Sequence, residues 1–315
     1  MAVLLSHSDL ASLLDLDTCI RGLRDGFMGR PAEREAQRIL SGLPGPGTAT
    51  VLIPGLVTGI PAYTVKVNAK FPASRPALRG VICLHDSANG ELLAVLDSAT
   101  VTAWRTGLAA ALGTDALARE QAGTLAVIGA GAQSELVLRG LTTLRSIERL
   151  VVCDLDPVRA RSFAGQYGAG REVEVTSDAR AAAREADIVI LATWSRDPLL
   201  DAADVRPGTH ITSLGADEPG KAELSRELLR SARVVVDDTR LALSSGALGT
   251  AGLREQDTAG ELGQILAGRI AGRTSGSEIT VYTPVGLPWQ DLALSWIAFQ
   301  RAVQADVGHR FDFLA

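Results

Sequence analysis

The sequence has little of several features that mark other protein classes. Its 315 residues include 3 cysteines and 4% aromatic residues, and the formal net charge is −5. Nucleic-acid binders neutralise phosphates with clustered lysine and arginine, so an acidic chain of this kind predicts no nucleic-acid partner. No apolar run approaches the ~18 residues that span a bilayer, which predicts no membrane partner. The remaining class is a globular protein that acts on small molecules.

The few cysteines argue against disulfide bonds and against a cysteine metal site. Cys19, Cys83 and Cys153 are odd in number and far apart in the sequence. That spacing fits neither a disulfide framework nor a metal site, so we expect reduced thiols and no bound metal. Residues 1–14 carry Asp9 and no lysine or arginine, unlike a signal peptide. We therefore expect a cytoplasmic protein.

Lysine is also scarce. Of 31 basic residues, only Lys66, Lys70 and Lys221 are lysines. A compact ammonium and a planar guanidinium are not interchangeable at a tight site. The three lysines are therefore candidates for such sites. The alternative for each is that lysine stands there by chance and has no special role.

The two halves of the chain have different patterns. In the first half, helical spacing over 8–27, alternation over 62–70, a hairpin over 81–96 and an Ala-rich helix over 99–119 predict an α+β domain. In the second half, short apolar runs alternate with helical stretches, which is typical of a doubly wound parallel sheet. These runs are 125–128, 150–153, 188–192, 210–214 and 234–236. A last predicted helix, 292–307, either caps this sheet or returns to the first domain.

A glycine-rich turn joins the first of these runs to a predicted helix. Gly129, Gly131 and Ser134 occupy the three positions of a G-x-G-x-x-G motif. The first glycine permits a tight turn, the second lets the backbone approach a pyrophosphate, and the helix N-terminus attracts the phosphates. The segment therefore predicts a dinucleotide site, with a turn that only serves packing as the alternative.

Asp154 ends the next predicted strand, where an acid binds the ribose hydroxyls of a dinucleotide. A carboxylate there repels a 2′-phosphate, which favours NAD over NADP. Arg159 and Arg161 keep NADP open as the less favoured cofactor.

A second glycine-bearing segment, residues 215–221, fits the pattern G-x-x-x-x-G-K. Ala222 stands where a nucleotide triphosphatase needs Ser or Thr for Mg²⁺, and Asp217 and Glu218 would repel phosphate. The segment follows a predicted strand of the parallel sheet, at the edge where such folds bind ligands. Asp217 is thus a candidate for the reactive centre, and the alternative is that it caps a helix over 219–230.

Taken together, these segments resemble the ornithine cyclodeaminase and mu-crystallin family over nearly the whole chain. The segments that carry the resemblance are Lys66-Val67-Asn68, 93–97, 105–107, 129–134, 215–221, 285–287 and Gln290-Asp291. The resemblance implies a Rossmann-type NAD-binding domain over 119–291. It also implies a smaller split α+β domain, 1–118 completed by 292–315, that binds substrate and forms a homodimer.

The resemblance assigns site residues by position. Asp217 falls where the family has its acid/base, and Arg38, Lys66 and Arg105 fall where it binds the substrate carboxylate. Lys66 counts among the catalytic residues as well, and Val285 lies at a substrate-binding position. The positions implied for the cofactor are Arg105, Gly129, Ala130, Gly131, Ala132, Gln133, Asp154, Thr193, Leu214, Gly215 and Lys221.

The implied function is a nicotinamide-dependent oxidoreductase that acts at the α-carbon of an amino acid or its cyclic imine, as a ketimine reductase or amino-acid dehydrogenase. One alternative is an ornithine or lysine cyclodeaminase that releases ammonia with bound NAD. Val51 stands where cyclodeaminases carry a Glu, which disfavours that reading, and Pro284 replaces a small residue usual near the nicotinamide. Another alternative is a non-catalytic mu-crystallin-like binding protein, against which the combination of Asp217, Lys66 and Arg105 argues.

Overall fold

The structure, a computed structural model, describes residues 1–29, 37–43, 47–71, 73–74, 76–313 and 315. The chain divides into two compact units. Unit 1 comprises Met1–Thr106 and Leu287–Ala315, and unit 2 comprises Gly107–Gly286. Both units combine helices with a β-sheet, which confirms the α/β class.

The elements follow one another along the chain in three groups. The first group is β1 (Ala2–Leu5), α1 (His7–Leu13), α2 (Leu16–Met28), β2 (Gln37–Gly42), β3 (Thr48–Gly55), β4 (Ala62–Lys70), β5 (Leu78–Asp86), β6 (Leu92–Asp97) and α3 (Ser98–Leu117). The second is β7 (Thr124–Ile128), α4 (Ala132–Leu144), β8 (Arg149–Cys153), α5 (Pro157–Tyr167), β9 (Glu172–Thr176), α6 (Ala179–Glu185), β10 (Ile188–Leu191), β11 (His210–Ser213), α7 (Arg226–Ser231), β12 (Arg233–Val236), α8 (Thr239–Ser244), α9 (Ala247–Thr250), β13 (Gly260–Glu261), α10 (Leu262–Leu266) and β14 (Thr280–Tyr282). The third is α11 (Pro288–Ala305) and β15 (His309–Phe311).

The sheet of unit 1 has the strand order β15-β1-β6-β5-β4-β3-β2 over the described residues. Its pairs are antiparallel except β1 with β6, which is parallel. On β4 the side chains alternate, so that Thr64, Lys66 and Asn68 are buried while Val67 is exposed. Helix α11 packs on β3, β4 and β5. A lysine is therefore buried within unit 1.

The helix predicted over 8–27 is two helices. Leu14 is extended at the end of α1, and Asp15 caps α2 by accepting a hydrogen bond from the Thr18 N–H. The Asp15 carboxylate also lies 2.5 Å from Nη2 of Arg301 on α11. This cap interrupts a helix that apolar spacing alone makes continuous.

The sheet of unit 2 has the strand order β13-β12-β14-β11-β10-β7-β8-β9 in the described residues, and every pair is parallel. Hydrophobic clusters cover both faces of its central strands. The doubly wound sheet predicted from the apolar runs is thus confirmed. Three strands of this sheet were not predicted: β9 is an edge strand with exposed residues, β13 is two residues long, and β14 is three residues long.

The last helix returns to the first domain, because α11 lies in unit 1. The units divide after Thr106 and after Gly286, whereas the sequence predicts divisions after 118 and 291. From Gly107 onward α3 packs in unit 2, so closely that a Cβ at Gly107 would come within 2.5 Å of Leu136. Gln290 and Asp291 belong to unit 1 because α11 begins at Pro288.

Candidate active site

Unit 1 contains a fully buried cluster of opposite charges. Nζ of Lys66 lies 2.6 Å from Oδ2 of Asp291, and both side chains are 1% exposed. Lys66 also donates a 3.3 Å hydrogen bond to Oγ1 of Thr102. Nε of Arg105 lies 3.3 Å from Oδ1 of Asp291, and its Nη1 donates to Oε1 of Gln290 over 3.3 Å. The cluster therefore joins β4, α3 and the first turn of α11.

The sheet register places Arg38 on the same side as Lys66. Arg38 on β2 pairs with Leu52 on β3, and Leu52 pairs with Lys66 on β4. Directly paired residues point to the same face of a sheet. The structure thus brings together Arg38, Lys66 and Arg105, the three residues that the sequence analysis assigned to one task.

Burial lowers the pKa of Lys66 to about 7. Asp291 acts in the opposite direction, while the positive charges of Arg105 and Arg38 lower this pKa further. Charged groups in a low-dielectric interior are stabilised only by good partners, and here Asp291 is shared between Lys66 and Arg105. The cluster consequently carries more positive than negative charge, which favours an added anion.

In unit 2 the glycine-rich turn has the predicted form. Gly129 has a φ of +95°, and a Cβ there would lie 2.6 Å from the Ala192 carbonyl oxygen, so only glycine fits. Gly131 is the N-cap of α4, makes no side-chain cap, and has open space where a Cβ would lie. Ser134, in the place of the third glycine, donates a 2.5 Å hydrogen bond to the Gly129 carbonyl. The departure from the motif therefore stabilises the same turn.

Asp154 follows β8 and is tied to this turn. Its Oδ2 accepts a 2.8 Å hydrogen bond from the Ala130 N–H, and its Oδ1 accepts one of the same length from the Asp156 N–H. Nη1 of Arg159 lies 3.3 Å from the carboxylate. The acid predicted for the ribose thus also fixes the loop of Ala130.

Asp217 does not cap a helix. The next helix, α7, begins at Arg226 and is capped by Ser225, which removes the structural alternative for Asp217. Lys221 is 5% exposed and donates a 3.0 Å hydrogen bond to Oδ1 of Asp217. The Lys221 ammonium also lies 4.7 Å from the ring centroid of Trp194. Lys221, like Lys66, is a buried lysine paired with a carboxylate.

The sequence did not predict the roles of Glu223 and Asp237, which are buried carboxylates of unit 2. Glu223 accepts hydrogen bonds from Thr193, Ser213 and Gly215. Asp237 accepts hydrogen bonds from the backbone N–H groups of Val285, at 3.0 Å, and Gly286, at 2.6 Å. The predicted residues Thr193, Gly215 and Val285 thus lie in loops that these carboxylates fix, and Leu214 immediately precedes Gly215.

Within the residues that the structure describes, no group of three or more His, Cys, Asp and Glu residues has a metal-binding arrangement. In the same part of the chain, none of the helices combines the length and apolar character needed to cross a bilayer.

Comparison with known proteins gives consistent matches. Over 99% of this chain and 100% of the relative, the chain is 29% identical to Delta(1)-pyrroline-2-carboxylate reductase of Bacillus cereus. An archaeal alanine dehydrogenase dimer with bound NAD has a TM-score of 0.92 at 28% identity, with 99% of each chain covered. The same reductase of Thermococcus litoralis, in complex with NADH and L-proline, has a TM-score of 0.92 at 29% identity, with 98% and 100% covered.

The family model of the ornithine cyclodeaminase/mu-crystallin family matches residues 50–306, which is most of the chain and includes parts of both units. It covers Lys66, Arg105, the glycine-rich turn and the segment around Asp217. The chain belongs to the ornithine cyclodeaminase/mu-crystallin family.

Proposed function

We propose that the chain is a nicotinamide-dependent imine reductase or amino-acid dehydrogenase that acts at the α-carbon of a carboxylate-bearing substrate. The observation that carries this proposal is the buried cluster of Lys66, Arg105 and Asp291, in which two cations share one carboxylate. A substrate carboxylate supplies the charge that this cluster lacks. An arginine fork and a lysine point charge together fix the orientation of such a group.

The residues of unit 2 fit NAD. Open space beside Gly131 and the uncapped start of α4 leave backbone N–H groups for a pyrophosphate. Asp154 is placed after β8, and its carboxylate suits ribose hydroxyls and disfavours a 2′-phosphate. Ala130, Ala132, Gln133, Thr193, Leu214, Gly215 and Lys221, with Arg105 of unit 1, complete the proposed cofactor set.

Reduction adds a hydride to the imine carbon and a proton to the imine nitrogen, and oxidation of the amine removes both. When bound, the nicotinamide supplies or accepts the hydride. Asp217 donates the proton to the nitrogen or accepts it, as a general acid/base. Arg38, Lys66 and Arg105 hold the carboxylate, and such positioning is worth about 7–11 kcal/mol of a barrier. Val285 limits the space for the rest of the substrate.

The position of Val51 in the sheet bears on the cyclodeaminase alternative. Val51 pairs with Ile39 and with Val67, which are 55% and 46% exposed, so it points away from the face of Lys66. A Glu at this position would not join the cation cluster. An assay of the products distinguishes a reductase from a cyclodeaminase directly.

The assay follows absorbance of reduced nicotinamide with three substrate groups: a cyclic imine carboxylate, a 2-keto acid with ammonia, and ornithine or lysine. We expect net NADH consumption with one of the first two groups. Ammonia release from a diamine without net NADH change would establish the cyclodeaminase instead. NADH binding without turnover on any substrate would support the non-catalytic binding protein. The matched control is 1-pyrroline, which has the ring of the cyclic imine but no carboxylate for the cluster.

We further propose a homodimer formed by unit 1. Ile39, Val51, Val67 and Val81 are consecutive cross-strand partners on four strands, and three of them are 44–55% exposed. A continuous apolar row on an open sheet face favours association. The alanine dehydrogenase relative in the comparison is itself described as a dimer.

Light scattering at micromolar concentration tests this interface. We expect a dimer for the unchanged chain and a monomer for the double variant Val67→Glu, Val81→Glu. The control is Val175→Glu on β9 of unit 2, a valine that is 39% exposed, and this variant should stay dimeric. A dimer that survives the double variant would place the interface elsewhere.

We also propose that the protein acts in the cytoplasm. Cys19, Cys83 and Cys153 are free thiols, and burial raises the pKa of Cys19 to about 12 and that of Cys153 to about 11. Unpaired cysteines fit a reducing compartment, in keeping with a cytoplasmic enzyme.

A further inference from the structure

Glu223 is a fully buried acid in the segment before α7. Its Oε1 accepts hydrogen bonds from the backbone N–H and the hydroxyl of Thr193, both at 2.7 Å. Its Oε2 accepts one from the Ser213 hydroxyl at 2.7 Å and one from the Gly215 N–H at 2.8 Å. One side chain thus connects the loops that follow two neighbouring parallel strands, β10 and β11.

The four donors define which side chain can stand at this position. Each carboxylate oxygen receives one backbone N–H, which can only donate. A carboxylate accepts at both oxygens, whereas a glutamine amide would direct its NH₂ group against one of these N–H donors. Burial raises the pKa of Glu223, and the hydrogen bonds from Thr193, Ser213 and Gly215 act in the opposite direction. The hydrogen bonds from these donors therefore offset the loss of solvation of the buried carboxylate.

The absence of a side chain at Gly215 leaves room for the Glu223 carboxylate. A Cβ at Gly215 would lie 2.3 Å from Oε1 of Glu223 and 2.4 Å from the Thr193 carbonyl oxygen. Gly215 is not among the glycines with positive φ, so steric room and not backbone strain requires glycine here. This explains the first glycine of the G-x-x-x-x-G-K segment without any phosphate.

We propose that Glu223 is a positioning residue for the nicotinamide cofactor, which fixes the loops of Thr193 and Gly215 in the arrangement that binds it. This inference rests on the proposed function, because Thr193, Leu214 and Gly215 are proposed cofactor contacts. Glu223 acts through these loops, and its carboxylate is fully engaged by their donors. Loss of the carboxylate releases the loops that follow β10 and β11 from each other, while the strands themselves stay paired up to Leu191 and Ser213.

The test is Glu223→Gln, with Glu227→Gln as the matched control because Glu227 is an exposed acid in the first turn of α7. Hydrogen bonds to charged groups are worth 1.5–3 kcal/mol, so we expect the NADH Kd to rise about 10- to 100-fold in Glu223→Gln. NADH fluorescence titration measures this at a temperature where circular dichroism shows both variants folded. The KM of the imine, whose carboxylate is held by Arg38, Lys66 and Arg105 in the proposed function, should change much less than the KM of NADH. An unchanged Kd with a lowered Tm would overturn the proposal and leave a purely structural acid.

Amide hydrogen exchange separates this inference from the proposed function. The Thr193 and Gly215 amides should be protected in the unchanged chain and in Glu227→Gln, and exposed in Glu223→Gln. This readout needs no cofactor. A protein that shows this pattern but does not bind NADH would keep Glu223 as the residue that fixes the two loops, and would contradict both the proposed function and the cofactor-positioning role. Protected amides in Glu223→Gln contradict the inference. If Glu223→Gln does not fold, Ser213→Ala removes one hydroxyl donor only, and an NADH Kd raised a few-fold supports the proposal while an unchanged one overturns it.

Discussion

Unit 1 and unit 2 build their proposed sites from different groups. In unit 1, Lys66, Arg105 and Asp291 are charged side chains that meet with 1–8% of their surface exposed. In unit 2, backbone N–H groups of Ala130, Gly215 and Gly286 are held by buried carboxylates. The proposed substrate recognition in unit 1 therefore depends on charge, while the proposed cofactor recognition in unit 2 depends on the shape of loops.

This difference has chemical consequences. A buried cation loses its binding power when it loses its proton, so unit 1 should respond to pH near the pKa of Lys66. Backbone N–H groups do not titrate, so the loops of unit 2 should respond to changes of shape and acceptor. Asp217 is the exception in unit 2, because its proposed task is to exchange a proton.

The largest effect is expected for Asp217→Asn. Asparagine keeps the size of aspartate but exchanges no proton, so turnover should fall by about 10²–10⁴-fold. Cofactor binding and Tm should change little, because Asp217 is partly exposed and caps no helix. Steady-state rates, NADH titration and thermal melting measure the three quantities.

Glu218→Gln is the control for this variant. Oε2 of Glu218 lies 3.7 Å from the Lys221 ammonium, so the variant removes a similar charge beside the same lysine. Equal losses in both variants would mean that charge near Lys221 matters and that Asp217 transfers no proton. Turnover of Asp217→Asn within a few-fold of the unchanged chain would end the proposed mechanism.

A smaller, pH-dependent effect is expected in unit 1. Because the pKa of Lys66 is about 7, its ammonium is present below that pH and is lost as the pH rises through it. The KM for a carboxylate-bearing imine should therefore rise above pH 7. Asp291→Asn removes the charge that raises this pKa, so the rise in KM should begin at lower pH.

Lys66→Arg separates charge from geometry in this cluster. Arginine stays charged at all these pH values, so the KM of this variant should no longer rise above pH 7. Its KM should nevertheless be higher than that of the unchanged chain at low pH, because a planar guanidinium replaces a compact ammonium. Lys70→Arg, on the same strand, should leave the profile unchanged. A KM profile that is identical in the unchanged chain and in Lys66→Arg would mean that the substrate, not Lys66, titrates.

The smallest effect is expected for cofactor choice. Asp154→Asn keeps an acceptor for the Ala130 N–H, but it directs its NH₂ group at the Asp156 N–H and removes the charge that disfavours a 2′-phosphate and that pairs with Arg159. The lost Asp156 hydrogen bond should weaken the binding of both cofactors alike, so the ratio of their affinities reports the charge. The ratio of the NADPH Kd to the NADH Kd should fall about tenfold, which is the size expected for the loss of one charged interaction. Titration of both cofactors measures the ratio, with Asp178→Asn as the control, since Asp178 caps α6 after the next strand. NADPH that already binds the unchanged chain as tightly as NADH would contradict the role of Asp154.

Local patterns predicted the parts of the fold and site that are local in sequence. Gly129, Gly131 and Asp154 have roles set by one turn and the next strand, so their spacing was informative. Asp237 is 48 and 49 residues from the amides of Val285 and Gly286, and Lys66 reaches Asp291 only through the fold. No spacing rule reports such contacts. The break at Asp15 was missed for a related reason, since its partner Arg301 lies at the other end of the chain.

The indole above Lys221 gives the protein an optical property. Trp194 is 52% exposed, while Trp104 and Trp289 are 8% and 4% exposed. Indole emission depends on solvent and on neighbouring charge, and the Lys221 ammonium that pairs with Asp217 lies 4.7 Å from this ring. Any event that moves that ammonium also changes the electric field at Trp194. The protein therefore carries its own fluorescent label beside the proposed acid/base, and the difference between its emission and that of a Trp194→Phe variant gives the spectrum of that label.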